Sequence, residues 1–256
     1  VLFVKKDKTH QGYMWVVVDP RTRNTYFEYR EGRNRAGPRL MLKDFQGKVQ
    51  SDGYVVYDVI DAELSDIDHY NCWTHARRKF IEALSDNKAV CEHTLMLIQK
   101  LYEVEAGCRN DNCSLDERYE RRQTYSLPIM ESLKEWMDQQ ALVVTPGCPT
   151  GKAIAYCNRR WTNLIKYANT GNVEIDNNLV ENAIRPLALG RKNYLFAGGH
   201  DAAVNIGYYY TVFSTCKAQD VNPYDYALWF LRKINNTKIT EIDSLTPSAY
   251  KNLVVN

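Results

Sequence analysis

Between residues 12 and 169 the apolar residues change their period, and that change limits the folds open to the chain. GYMWVVVD (12–19) and TYFEYR (25–30) are β-branched and aromatic runs on either side of PRTRN (20–24), a Pro/Asn turn, which predicts a β-hairpin. From about residue 88 to 169 the spacing is helical: Leu95, Ile98, Leu101 and Tyr102 repeat at helical intervals, as do Ile154, Trp161, Leu164 and Ile165. Between these regions the sequence predicts a short helical piece over 38–45, a brief strand GKVQSD (47–52), a strand HYNCW (69–73), and a helix THARRKFIEAL (74–84) with Thr74 as N-cap. Pro128 and TPGCPTG (145–151) punctuate the helical block. Further helices are expected near 201–218 and 223–234, the second opening at Asn222-Pro223, and the tail 239–256 reads as an extended cover. Strands, then a strand–helix pair, then a helical block and more helices describe an α/β core interrupted by a helical insertion.

A chain of 256 residues is long enough to bury a real core, as one large domain or two modest ones. With 45% hydrophobic and 25% charged residues it is not a disordered sequence. No apolar run approaches the roughly 18 residues that would argue for a membrane span, so a membrane partner is not expected. The first residue is Val1, and VLFVKKDKTH lacks the apolar stretch and cleavage site of a secretory signal, which reads as a fragment or an internal start. Seven cysteines, an odd number without dense spacing, fit a reducing cytoplasm.

The net charge of +2 gives no whole-molecule field for a polyanion, so any such binding must rest on local clusters. These exist at Arg30, Arg33, Arg35 and Arg39; at Arg77, Arg78 and Lys79; at Arg121 and Arg122; at Arg159 and Arg160; and at Arg191 and Lys192. Any one pair taken alone reads as a solvated helix face. Asp176-Asn177-Asn178 has the composition of a helix start, and Glu181 and Arg185 stand at i and i+4, a pair contributing about 0.2–0.5 kcal/mol. Asp52 is expected at the C-terminal end of a strand, where open α/β sheets place ligands; its plain alternative is an Asx turn in Ser-Asp-Gly. A magnesium-type ion needs converging carboxylate oxygens, so Asp52 and Glu181 are candidates to share one. Zinc spacing is weak: Cys72 and His75, or Cys108 and Cys113, match no finger. GCPTGKA (147–153) falls short of a phosphate loop, with one residue too few between its glycines and Ala153 where Ser or Thr should stand.

DNNLVENAIRPLALGRKNYLFAGG (176–199), CWTHARRKF (72–80), QSDGYVVYD (50–58), GYMWVVV (12–18) and NPYDYALWFL (222–231) closely resemble, in the same order, transposases of the insertion sequence 66 family. The resemblance implies an RNase H-like (RuvC-like) mixed sheet with flanking helices. Residues 1–87 and 146–238 would form the catalytic core, 88–145 the helical insertion and 239–256 a C-terminal tail. It implies an Asp-Asp-Glu set holding two Mg2+ ions, with Mn2+ as a substitute, in which Asp52 corresponds to the second Asp and Glu181 to the Glu. Arg77, Arg78, Arg185, Arg191 and Lys192 would grip DNA at transposon ends and target, within a homo-oligomer on DNA in the bacterial cytoplasm and nucleoid. The implied activity is metal-dependent phosphodiester cleavage and strand transfer; a non-catalytic DNA-binding remnant is the alternative. The family's first Asp lies in an Asp-Glu-Thr motif without a match here, since Asp7 has the wrong neighbours, so these residues alone are expected to be inactive.

Overall fold

The predicted hairpin forms because its turn is held by its own side chains. The Asp19 carboxylate accepts the Arg21 N–H at 2.9 Å and the Thr22 hydroxyl at 2.7 Å, and Arg23 takes a left-handed φ of 62° to close the loop. The computed structural model describes residues 2–5 and 8–254; Val1 and Asp7 lie outside the described residues. The chain divides into two compact units, residues 1–37 with 178–256, and residues 38–177.

The strands of the first unit are β1 (Leu2–Lys5), β2 (Lys8–Gln11), β3 (Tyr13–Val18) and β4 (Thr25–Arg30). They pair as two antiparallel hairpins, β1 with β2 and β3 with β4, the second in register from Tyr13↔Arg30 to Val18↔Thr25. The first hairpin was not expected from the sequence. At residue 36 the chain enters α1 (Ala36–Leu42).

The second unit continues from that helix through β5 (Gly47–Ser51), α2 (Asp58–Glu63) and β6 (Ile67–Asn71), with β5 and β6 parallel from Gly47↔Ile67 to Ser51↔Asn71. A parallel pair needs a crossover, and α2 supplies it, burying Val59 and Ile60 against Leu42 and Ile67. The helices α3 (Trp73–Glu82), α4 (Lys88–Asn110), α5 (Leu115–Arg121), α6 (Leu127–Ala141) and α7 (Pro149–Ile165) follow, with a π-helical turn at Arg122–Ser126 before α6. Their apolar faces enclose one core in which Trp73, Phe80, Ile98, Leu101, Leu133 and Leu164 are fully buried. The Trp73 indole donates to the Leu164 carbonyl at 2.9 Å, as a buried Trp needs.

Two local expectations are corrected here. The second parallel strand runs over 67–71, two residues earlier than 69–73, because the Trp73 N–H is taken by the Ile175 carbonyl at 3.1 Å and the helix begins there. Thr74 is therefore inside the first turn of α3 and does not cap it; its hydroxyl meets the Tyr102 hydroxyl at 2.9 Å and the Asp176 carboxylate at 3.2 Å, and Cys72 holds the N-cap position.

An ion network is sealed among these helices. Glu105, fully buried, accepts from Arg122 at 2.7 and 2.8 Å and from Arg118 at 3.0 and 2.5 Å. Arg118 also reaches Glu174 at 2.8 and 2.6 Å, while Arg122 donates to the carbonyls of Tyr167 and Thr170. The Arg118 guanidinium beside it holds the Glu174 carboxyl below its ordinary value.

The first unit resumes with α8 (Asn178–Tyr194), α9 (His200–Ala218), α10 (Pro223–Lys233) and α11 (Pro247–Val254). The outer edge of β4 is satisfied by α9: the N–H groups of Thr25 and Phe27 donate to the hydroxyls of Thr215 and Thr211 at 3.0 and 2.9 Å. Gly190 allows α8 to approach α9, since a Cβ there would lie 2.2 Å from the Tyr210 hydroxyl oxygen. The tail is helical and not extended: a 3₁₀ segment (Ile239–Leu245) leads into α11. The Thr246 hydroxyl accepts the Ala249 N–H at 3.3 Å just ahead of Pro247, a helix start the sequence reading missed. The whole is a mixed α/β chain, mostly helical, with three two-stranded sheets among the described residues.

Candidate functional site

Asp52 follows the last residue of β5, at the C-terminal end of the parallel pair. Its Oδ1 accepts the Tyr54 N–H at 3.1 Å, so the Asx turn offered as the plain alternative is present and coexists with the strand-end position. The residues on either side are held more firmly than an Asx turn requires.

On the amino side, buried Ser51 has its Oγ 2.8 Å from His69 Nε2 and 2.9 Å from the Asp52 carbonyl oxygen, with one hydroxyl proton to give to either. His69, on β6 and 2% exposed, meets the Asp61 carboxylate through Nδ1 at 2.9 Å. Asn163 on α7 donates to the same carboxylate oxygen at 2.9 Å. On the carboxyl side, Arg160 of α7 donates to the Gly53 carbonyl at 2.6 Å. Its guanidinium lies 4.4 Å from the Tyr156 ring centroid, and the Asp58 carboxylate is 3.9 Å away. Burial pushes the Tyr156 phenol well above its ordinary value, so it remains protonated. Gly53 is required by this contact, because a Cβ there would fall 1.8 Å from the Tyr156 hydroxyl oxygen and 2.7 Å from Arg160 Nε.

None of Ser51, Asp61, His69, Tyr156 or Asn163 was singled out from sequence, and Arg160 was read with Arg159 as a local basic cluster whose plain alternative is a solvated helix face. A signal was available: Tyr156, Arg160 and Asn163 stand at i, i+4 and i+7, one polar stripe on a helix otherwise buried by Ala153, Ile154, Cys157 and Leu164.

Glu181 is in the first turn of α8, on the other unit, and is half-buried. A helix start favours a carboxylate through its free N–H groups. Among the described residues no three His, Cys, Asp or Glu side chains group as a metal site. Cys72 is buried, and burial pushes its thiol up to about 11.

The candidate DNA contacts Arg77 and Arg78 on α3, and Arg185, Arg191 and Lys192 on α8, are all exposed and in no ion pair among the described residues. Other clusters named from sequence are engaged. Arg30 pairs with Glu28, Arg39 with Glu63 at 3.2 Å, and Arg121 with Asp111 at 2.6 Å, while Arg122 is sealed against Glu105. Among the described residues no helix is long and apolar enough to cross a membrane.

A family model described as Transposase IS66 family matches residues 1–205. Of the curated relatives, uncharacterized protein y4qI of Sinorhizobium fredii is 30% identical over 233 residues, 88% of this chain and 43% of that protein. Uncharacterized protein y4hP of the same organism is 27% identical over 269 residues, 96% of this chain and 48% of that protein. The chain thus spans about half the length of the curated relatives it matches. No solved structure matches it.

Proposed function

The chain belongs to the IS66 transposase family, and on that premise we propose that it is the catalytic region of a DNA transposase in which Asp52 and Glu181 ligate divalent metal ions. The observation that carries the proposal is the family match across residues 1–205, which spans both carboxylates, joined to the placement of Asp52 at the end of a parallel strand with its neighbours anchored on both sides. An antiparallel hairpin preceding a parallel βαβ unit supports an RNase H-like core, with the helices of 88–145 as its insertion.

The donor chemistry fits a hard cation. Asp52 commits one carboxylate oxygen to a backbone N–H, which leaves lone pairs for a cation, and carboxylates are the ligands Mg2+ or Mn2+ takes. Bound ions would supply Lewis-acid stabilisation of the attacking and leaving oxygens in phosphodiester cleavage and strand transfer at transposon ends. The chain's own part is positioning. Asp52 is mounted on a strand end and Glu181 on a helix, elements that hold a side chain better than a loop does.

Arg77, Arg78, Arg185, Arg191 and Lys192 contribute affinity for the DNA backbone, Arg by two-pronged contacts and Lys as a point charge. DNA-bound homo-oligomers are part of the same proposal. The first Asp of the family's set has no match in this sequence, so the 256 residues by themselves are expected not to nick DNA. The test is transposition from the complete reading frame: Asp52→Asn and Glu181→Gln each bring it to the level of an empty-vector control while DNA-end binding persists. Wild-type transposition frequency in either variant rejects the assignment of that carboxylate.

A further inference from the structure

We infer that α7 is the positioning helix of the Asp52 turn, with Arg160 and Asn163 as positioning residues that fix the carboxylate from its two sides. The inference rests on the reading of Asp52 as a metal ligand, and it adds residues which that reading does not contain.

Asp52 is one residue in a short turn between Ser51 and Gly53, so holding those two neighbours steadies the backbone from which its carboxylate projects. Both neighbours are tied to α7. Gly53 is tied directly, by the 2.6 Å bond from Arg160 to its carbonyl, and Ser51 through a relay of Asn163, Asp61 and His69 with links of 2.9, 2.9 and 2.8 Å. Arg160 and Asn163 are three positions apart on one helix, so the two arms move as a unit. The core behind them is tightly filled: Ala153, Ile154, Cys157 and Leu164 of α7 are each at most 2% exposed. The stripe is costly as mere packing. A guanidinium buried with a carbonyl, an aromatic face and a carboxylate at 3.9 Å lacks the close carboxylate partner that Arg122 has in the same unit. A buried charge kept on such terms, beside a glycine with no room for a Cβ, holds backbone in place next to a proposed ligand. Groups that orient a metal ligand from behind typically account for 10- to 100-fold in metal affinity or activity.

The experiment uses the complete reading frame and four variants: Arg160→Gln, Arg160→Lys, Asn163→Ala and Asp52→Asn. Mn2+ binding is titrated by electron paramagnetic resonance alongside Mn2+-dependent cleavage of a transposon end, with the melting temperature recorded for each. Arg160→Gln and Asn163→Ala are expected to weaken Mn2+ binding about 10- to 100-fold and to raise the Mn2+ needed for half-maximal cleavage in parallel, leaving the DNA dissociation constant unchanged. Arg160→Lys, which keeps the charge and one donor, recovers part of the loss. Asn163→Ala truncates a half-buried side chain and keeps the test decisive if the Arg160 variants fold poorly. Wild-type Mn2+ binding in folded Arg160→Gln and Asn163→Ala, with Asp52→Asn defective, overturns the positioning role alone. Wild-type Mn2+ binding in Asp52→Asn overturns the reading beneath it and the inference with it.

Discussion

Arg122 and Arg160 are both buried guanidinium groups in the same unit, and the fold treats them in opposite ways. Arg122 lies against Glu105 through two short bonds, and its remaining donors go to the Tyr167 and Thr170 carbonyls, so its charge is cancelled where it stands. Arg160 has a carbonyl, a ring face and a more distant carboxylate. The first arrangement is closed: every group in it answers another, and its effect is to lock α4, α5 and the 166–174 segment together. The second is open, ending on the backbone of a turn that carries a half-exposed carboxylate. The difference separates a structural use of arginine from one that serves a neighbouring site, a distinction that burial alone does not make.

The largest effect is expected from breaking the closed network. Glu105→Gln removes the charge that two guanidiniums share, and stripping one partner from a buried pair costs about 3–5 kcal/mol. For a chain of this size that lowers the melting temperature by roughly 6–20 °C. Calorimetry on the purified protein measures it, and a change under 2 °C would erase the contrast drawn between the two arginines.

The rim of that network gives a smaller effect that sharpens the same point. Glu174 is part-exposed and has a depressed pKa through its bonds to Arg118, so the native state holds its charge to lower pH than the unfolded chain does. The stabilisation is complete above the ordinary glutamate range and is lost as pH falls through the lower native value. Melting temperature against pH should decline less steeply on the acid side in Glu174→Gln than in wild type; superimposable acid limbs would show that the pair contributes nothing.

The smallest effect on stability is expected where the cation has no protein partner. Arg191→Ala should change unfolding free energy by no more than about 0.5 kcal/mol. It should weaken transposon-end binding and reduce the slope of log affinity against log salt by roughly one. An unchanged slope across a salt titration would return Arg191 to the role of a charge complementing the end of α8.

These contrasts show how far the sequence reaches. The hairpin over 13–30, the helical block beyond residue 88 and the Asn222 cap, whose side chain accepts the Tyr224 N–H at 2.9 Å, were all legible. Each depends on residues within a few positions of one another. Thr74 was misread as a cap because its true partners, Tyr102 and Asp176, are distant in the chain. The extended tail was misread because Thr246-Pro247, the local start signal, was passed over.

What the sequence determined by itself is the family, the order of strands and helices, and the candidate carboxylates and cations, since backbone sterics, side-chain period and motif are local properties. Only the tertiary structure decided which of two adjacent arginines goes inward: Arg122 and Arg160 are buried, while Arg159 is exposed and Arg121 is half-buried beside Asp111. Adjacent residues share a local environment, but Arg160 finds its carbonyl 107 positions away, and no local pattern can encode a partner that folding alone brings within reach.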